Sequence, residues 1–236
     1  MARSYAVTAE FYDLLQATDF LATAERLLDR WLGEPLVGVL DVGAGTGIAT
    51  GLLARRVSVT VHAVEPAASM RAVLLSRLAG RPELLSRVRL HARPVQRLGL
   101  HRAADFALCL NTMSSLDATD RASALDALAR AIVRGGTLVV QRPPDSAGAP
   151  RYDLPTWQLG GDTYSGEVAC TATADDLVQW RFTYRVSRGA TILRTEIETF
   201  DGHLASADAF AAQLTAAGFM PVDSDTPDVV IARRVG

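Results

Sequence analysis

The sequence has no lysine: all 24 of its basic side chains are arginine. A Tyr-x-x-x-Lys catalytic pair is therefore excluded. Together with abundant alanine, the all-arginine choice reads as the imprint of a GC-rich gene rather than as chemistry. The cluster Arg87, Arg89, Arg93, Arg97 and Arg102 accordingly reads as a solvated face, not a polyanion groove. Cysteine is nearly absent too. Cys109 and Cys170 make no disulfide framework and have no metal-ligand spacing, so no metal site is expected. No run approaches 18 apolar residues, and the first residues lack the charged-then-apolar pattern of a leader, which leads to the expectation of a cytoplasmic protein. The net charge is only −2, which gives no electrostatic reason to expect nucleic acid or a membrane as partner.

What is present is an ordinary globular composition, 49% hydrophobic and 21% charged, in 236 residues. That length suits one α/β domain with an insertion. The most informative stretch is Val39-Leu40-Asp41-Val42-Gly43-Ala44-Gly45-Thr46-Gly47-Ile48. An apolar strand ends in an acid, turns through glycines and opens a helix. Gly43 and Gly45 let the backbone turn tightly and approach a ligand closely. A second strand over 57–64 ends in Glu65, placed to accept two hydrogen bonds from a ribose diol. The dinucleotide fingerprint needs a glycine or alanine where Ile48 stands. Asp41 would repel a pyrophosphate and attract a ligand carrying an ammonium and a sulfonium.

The rhythm of the chain predicts the architecture. Phe20, Leu21, Ala24, Leu27, Leu28, Trp31 and Leu32 recur at helical spacing. Strands are expected over 37–41, 57–64, 88–92, 106–110 and 137–141. Helices are expected between them, the last over 121–132 and capped by Gly135-Gly136. This alternation reads as an α/β, doubly wound, seven-stranded Rossmann-like sheet. A loop-rich stretch with Pro143, Pro144, Gly148 and Pro150 breaks the rhythm. Strand-like runs over 166–172, 177–186 and 191–200 then predict a small antiparallel β insertion after strand five, with a hairpin turn at 187–190. A helix over 206–217 and a hairpin over 219–223 and 229–233 close the chain. The expected division is 1–142 as cofactor-binding core with an N-terminal cap segment, 143–205 as insertion or lid, and 206–236 completing the core sheet. The exposed strand character of 177–200 would permit a homodimer.

Asp41-Val42-Gly43-Ala44-Gly45-Thr46-Gly47 resembles motif I of the class I S-adenosylmethionine-dependent methyltransferases, and the resemblance runs along nearly the whole chain. Val64-Glu65-Pro66 with Met70 resembles the next motif, 104–111 the fourth, Ile132-Val133-Arg134-Gly135-Gly136-Thr137-Leu138 the L-x-P-G-G-x-L before strand five, and Leu214-Thr215-Ala216-Ala217-Gly218-Phe219 the L-x-x-A-G-F before strand six. Ala9-Glu10-Phe11-Tyr12-Asp13 is similar to the A-x-x-Y-D start of many small-molecule members, in which this segment folds over the cofactor. The nearest pattern is the group containing the amino-sugar N-methyltransferases of antibiotic pathways, echoed by Ala68-Ser69-Met70 and by Cys109 with Ser114-Ser115. The resemblance implies S-adenosylmethionine as cofactor, S-adenosylhomocysteine as product, and a small-molecule acceptor. The implied cofactor residues are Asp41, Gly43, Ala44, Gly45, Gly47, Glu65, Pro66, Met70 and Leu110. Pro94 stands where the family often has an acid for the adenine, leaving that contact to backbone such as that of Val95.

Methyl transfer from a sulfonium can run largely on proximity, whereas a hydroxyl acceptor benefits from a base. Serines stand at 114 and 115 where histidines occur in related sequences. His62, His91 and His101 read as structural. Tyr12, Asn111 and His203 are the catalytic candidates, although Tyr12 reads equally as a core aromatic. Trp157, Tyr164 and Arg142 are the candidates for holding the acceptor, amine or hydroxyl. Two other readings stay open: a nicotinamide-dependent reductase, disfavoured by the missing glycine and lysine, and a non-catalytic scaffold that binds the cofactor.

Overall fold

The computed structural model describes residues 5–222 and 226–236; Ser4 and Asp223, the latter the end of the strand expected over 219–223, lie outside them. The chain opens with two helices, α1 (Thr8–Leu15) and α2 (Ala17–Trp31). It then alternates β1 (Val39–Val42), α3 (Ile48–Arg56), β2 (Val61–Val64), α4 (Ala68–Ala79), α5 (Pro82–Leu85), β3 (Val88–His91), β4 (Ala104–Cys109), α6 (Ala118–Ala131) and β5 (Ile132–Gln141). Strands β6 (Arg151–Asp153), β7 (Trp157–Leu159), β8 (Asp162–Ala174), β9 (Leu177–Arg188) and β10 (Thr191–His203) follow. Helix α7 (Ala207–Ala216), β11 (Phe219–Val222) and β12 (Val229–Arg234) end the chain.

The first sheet has seven strands in the order β11-β12-β5-β4-β1-β2-β3. Strands β1 to β5 are parallel, and β12 and β11 run antiparallel at one edge. Alternate side chains enter opposite faces, and both faces are covered. Val39 packs with Leu28, Leu53 and Leu74 on one side, while Leu40 and Val42 pack with Leu125, Leu128 and Phe210 on the other. The order reverses at β1, between β2 and β4, so the strand tips there open the crevice in which such sheets hold ligands. The doubly wound reading is borne out, with the hairpin supplying the mixed edge.

Local boundaries moved for identifiable reasons. The second strand begins at Val61, because Val57 still closes α3 by donating to the Leu53 carbonyl. Gly135-Gly136 does not cap α6. That helix ends at Ala131, Ile132 is already extended, and both glycines lie inside β5. A Cβ at Gly136 would press on Ile132 and on the Val133 and Asp105 carbonyls, so the glycine serves close strand packing. The insertion is also larger than expected: five strands, in the core order β10-β9-β8-β6 with β7 on β8, and three of them 12 or 13 residues long. No helix among the described residues is long and apolar enough to cross a membrane.

Candidate active site

The site begins at the tip of β1. Gly43 has φ +73°, and a Cβ there would overlap the Thr112 hydroxyl. That hydroxyl donates to the Val42 and Leu110 carbonyls, at 3.1 and 2.9 Å, so the turn after β1 is locked to the turn after β4. Gly47, φ +83°, opens α3 with its would-be Cβ against Leu74. These backbone conformations disfavour side chains, which is why the sequence spells glycine there.

Glu65, at the tip of β2, is buried. One carboxylate oxygen accepts from Gly45 N at 2.8 Å and the other from Ala67 N at 2.7 Å. Burial raises its pKa, opposed by those two N–H groups and by Arg71. Each oxygen keeps a further lone pair, so the carboxylate can hold the glycine loop and still receive a diol. Glu65, Gly43, Ala44, Gly45, Pro66, Met70 and Leu110 line one cleft of about 140 Å³, closed over by Tyr5, Tyr12 and Phe20.

A second cavity of about 800 Å³ adjoins it and shares Tyr5, Tyr12, Pro66, Asn111, Thr112 and Ser115. Asn111 sits at this junction with φ +51°, its N–H donating to the Gln141 side chain at 2.9 Å. Its side chain favours the ionised Tyr12 phenol and opposes the effect of burial there. Burial pushes Tyr12 and Tyr5 up to about 12, so both remain phenols at neutral pH. The larger cavity is walled by Tyr152, Trp180, Phe182 and Phe200, with Asp145, Asp201 and Asp228 as its acids. No histidine or cysteine lines it among the described residues.

The N-terminal strap ties the two halves together. Glu198 of β10 accepts from Ala6 N and Thr8 N at 2.8 and 2.7 Å, capping α1 from another element. Phe11 stacks on Tyr184 with centroids 4.5 Å apart, and Arg194 pairs with Glu10. At the other end Asp13 accepts from the Thr46 hydroxyl at 2.6 Å and pairs with Arg77.

Several expected site residues are elsewhere. The Asp41 carboxyl does not line the cleft; it is buried and accepts from Thr50 Oγ1 at 2.5 Å. Burial pushes its pKa up to about 6, with the Thr50 bond opposing and Glu65 adding to the rise. Val95 is buried in the core on a single 3-10 turn, Val95–Arg97, and lines neither cavity. His203 is the last residue of β10 and alternates to the face opposite Phe200. Tyr164 shares the face of Phe182 but lies toward the other end of the sheet, against Phe11. Trp157 pairs with Tyr164 at that end and lines neither cavity. Arg142 does line the larger cavity, but its guanidinium is engaged by Asp145 and Asp228 at 3.3 and 3.2 Å. Trp180, Phe182, Phe200 and Tyr152 were missed as site residues. Their signal was the alternation along 180–186, which reveals a face but not its end.

Residues 39–136 match the model of a family described as a methyltransferase domain. No curated protein is significantly similar to the chain in sequence. Among solved structures it is similar to CalS10, an amino pentose methyltransferase from Micromonospora echinaspora, at 24% identity over 92% of this chain and 91% of that one, with a TM-score of 0.71. It is similar to the sugar N-methyltransferase KedS8 from a Streptoalloteichus species at 22% identity, 94% and 90% coverage and TM-score 0.75. DesVI from Streptomyces venezuelae matches at 17% identity, 97% and 98% coverage and TM-score 0.77. At these identities the likeness is one of fold.

Proposed function

We propose that this chain, whose residues 39–136 match a methyltransferase-domain model, is an S-adenosylmethionine-dependent methyltransferase that methylates the nitrogen of a small-molecule amine. The observation that carries the amine reading is the cavity beside the cofactor cleft. It sets three carboxylates, Asp145, Asp201 and Asp228, among aromatic walls against a single cation, Arg142, which pairs with Asp145 and Asp228 and leaves Asp201 clear of it, and no histidine lines it among the described residues. Carboxylates attract an ammonium, and an amine, once neutral, needs little base help to attack. A hydroxyl would need more. Solved structures of like fold include a sugar N-methyltransferase and an amino pentose methyltransferase, which agrees with this reading.

The residues fit the cofactor. Glu65 has lone pairs to spare for a ribose, the glycine loop presents backbone without side chains, and Pro66, Met70 and Phe20 offer an apolar slot. When bound, the cofactor supplies an activated methyl on sulfur. Tyr12 and Asn111, which line both cavities at the junction, would bound the passage between cleft and cavity and orient the acceptor nitrogen. Both tyrosines act as neutral hydrogen-bonding walls. The proton of the acceptor ammonium leaves before attack, so turnover should rise with pH through the pKa of the acceptor itself.

Calorimetry of S-adenosylmethionine and S-adenosylhomocysteine, followed by methyl transfer to a panel of amines and matched alcohols, tests the reading. Micromolar cofactor binding with transfer to amines alone is the expected result. Cofactor binding with transfer only to alcohols would overturn the amine assignment.

A further inference from the structure

We infer that the chain carries a second ligand site, built for a flat aromatic ring bearing an anionic group, between the ends of α3 and α4 and the β7 hairpin. A cavity of about 410 Å³ lies there, a size that suits a small ligand. It shares no residue with the acceptor cavity and only Ile48 with the cofactor cleft. Helix α1 separates their linings: Thr8 and Tyr12 belong to the acceptor cavity and Asp13 to this one.

Its walls carry Arg55, Arg77 and Arg81 against one acid, Asp13, which is already committed to Arg77 and Thr46. Neither Arg55 nor Arg81 forms a side-chain hydrogen bond or ion pair among the described residues. Burial and the neighbouring Arg81, Arg56 and Arg77 hold the Arg55 guanidinium below its ordinary value, with Glu25 opposing. Helix C-termini attract basic residues, which accounts for arginines at the ends of α3 and α4. It does not account for the indole that lines the same cavity. Trp157 is 49% exposed, in a five-strand sheet whose other tryptophan, Trp180, walls the acceptor cavity. A guanidinium binds phosphate or carboxylate through its donor fork, and an indole face takes an aromatic ring. Uncommitted guanidinium forks and an exposed indole round one cavity are complementary to both parts of such a ligand.

Phenyl phosphate is the probe, added to protein saturated with S-adenosylhomocysteine so that the cofactor cleft is filled. Calorimetry should show saturable binding, with inorganic phosphate and phenol each at least tenfold weaker. Arg55→Gln with Arg81→Gln should weaken it at least tenfold. Trp157→Phe should abolish the accompanying quench of tryptophan emission. Arg142→Gln, which removes the cation of the acceptor cavity, should leave it unchanged. The three arginine positions reach solvent, and melting curves check that each variant is folded. Absence of saturable binding, full binding by the Arg55/Arg81 variant, or loss confined to Arg142→Gln would each overturn the inference.

Discussion

The cofactor cleft and the acceptor cavity meet at Tyr12 and Asn111, yet they are made from different materials. The cleft is organised by backbone, a glycine turn and two strand tips with one carboxylate, drawn from short contiguous stretches of the parallel sheet and walled by side chains such as Tyr5, Phe20 and Met70. The cavity is mostly side chains, delivered by the strap, the loops after β4 and β5, and three strands of the second sheet. A backbone site tolerates little change, because each atom is fixed by dihedral angles that only certain residues adopt. A side-chain site can be re-cut by substitution while the sheet beneath it stays the same. One frame can therefore keep one cofactor and vary its acceptor.

The largest effect should come from Gly43→Ala. The new Cβ meets a positive φ and the Thr112 hydroxyl together. Calorimetry should show cofactor affinity reduced at least about 100-fold, with a lower melting temperature. Gly148 also has a positive φ, but it lies in the acceptor cavity with open space around it, so Gly148→Ala should cost only about 1 kcal/mol. Equal losses in the two variants would break the contrast between the regions.

Next comes Glu65→Gln, which keeps the shape and removes the charge. Hydrogen bonds to a charged group contribute roughly 1.5–3 kcal/mol, so cofactor affinity should fall by about 10- to 100-fold. At saturating cofactor, the acceptor KM should stay within about twofold. A matching rise in acceptor KM would mean the two regions are energetically one.

A smaller effect is expected from Glu198→Gln, because Glu198 belongs to the acceptor sheet but holds the strap that closes the cofactor cleft. The cleft, at about 140 Å³, is small beside typical ligand pockets of roughly 300–1,000 Å³. Tyr5 and Tyr12 of the strap border it, so the strap is the element placed to gate the cofactor. Weakening its anchor should speed product release several-fold in stopped-flow, with little change in equilibrium affinity. An unchanged release rate would detach the strap from gating.

How much of this was legible in the sequence follows the same divide. The glycine turn and Glu65 could be read because one local stretch carries both the signal and the site. Trp157, Tyr164 and His203 could not be placed, because a strand's alternation reports its face and nothing about position along it. Trp180 and Val186 share a face but stand about 20 Å apart along β9 at the usual rise per residue. One end walls the cavity, and the other is covered by Phe11 and Leu15 of the strap. Which end faced the cofactor was decided by how the second sheet docks on α1, through pairs such as Glu198 with the Thr8 amide that span 190 residues. Asp41 failed differently: its place at the strand tip was right, but the Thr50 hydroxyl one turn into α3 claimed the carboxylate.

Asp41 supplies the smallest expected effect. Its carboxyl titrates at about 6 when folded, against an ordinary value of 3.8, so the native state holds a proton that the unfolded chain releases. Stability from this group is therefore fully present below about pH 4, is lost as pH rises toward 6, and is flat above. Asp41→Asn keeps an oxygen for Thr50 and removes the titration. In the protein without cofactor, the variant should gain on the order of 1 kcal/mol relative to wild type between pH 5.5 and pH 7.5, read from denaturant midpoints. A difference independent of pH would show that the buried carboxyl does not carry this strain. Bound cofactor should shrink the gain, since its positive charges favour the ionised acid even without direct contact. On that outcome Asp41 acts on the cofactor through the field it sets behind the glycine turn, a second electrostatic element beside Glu65.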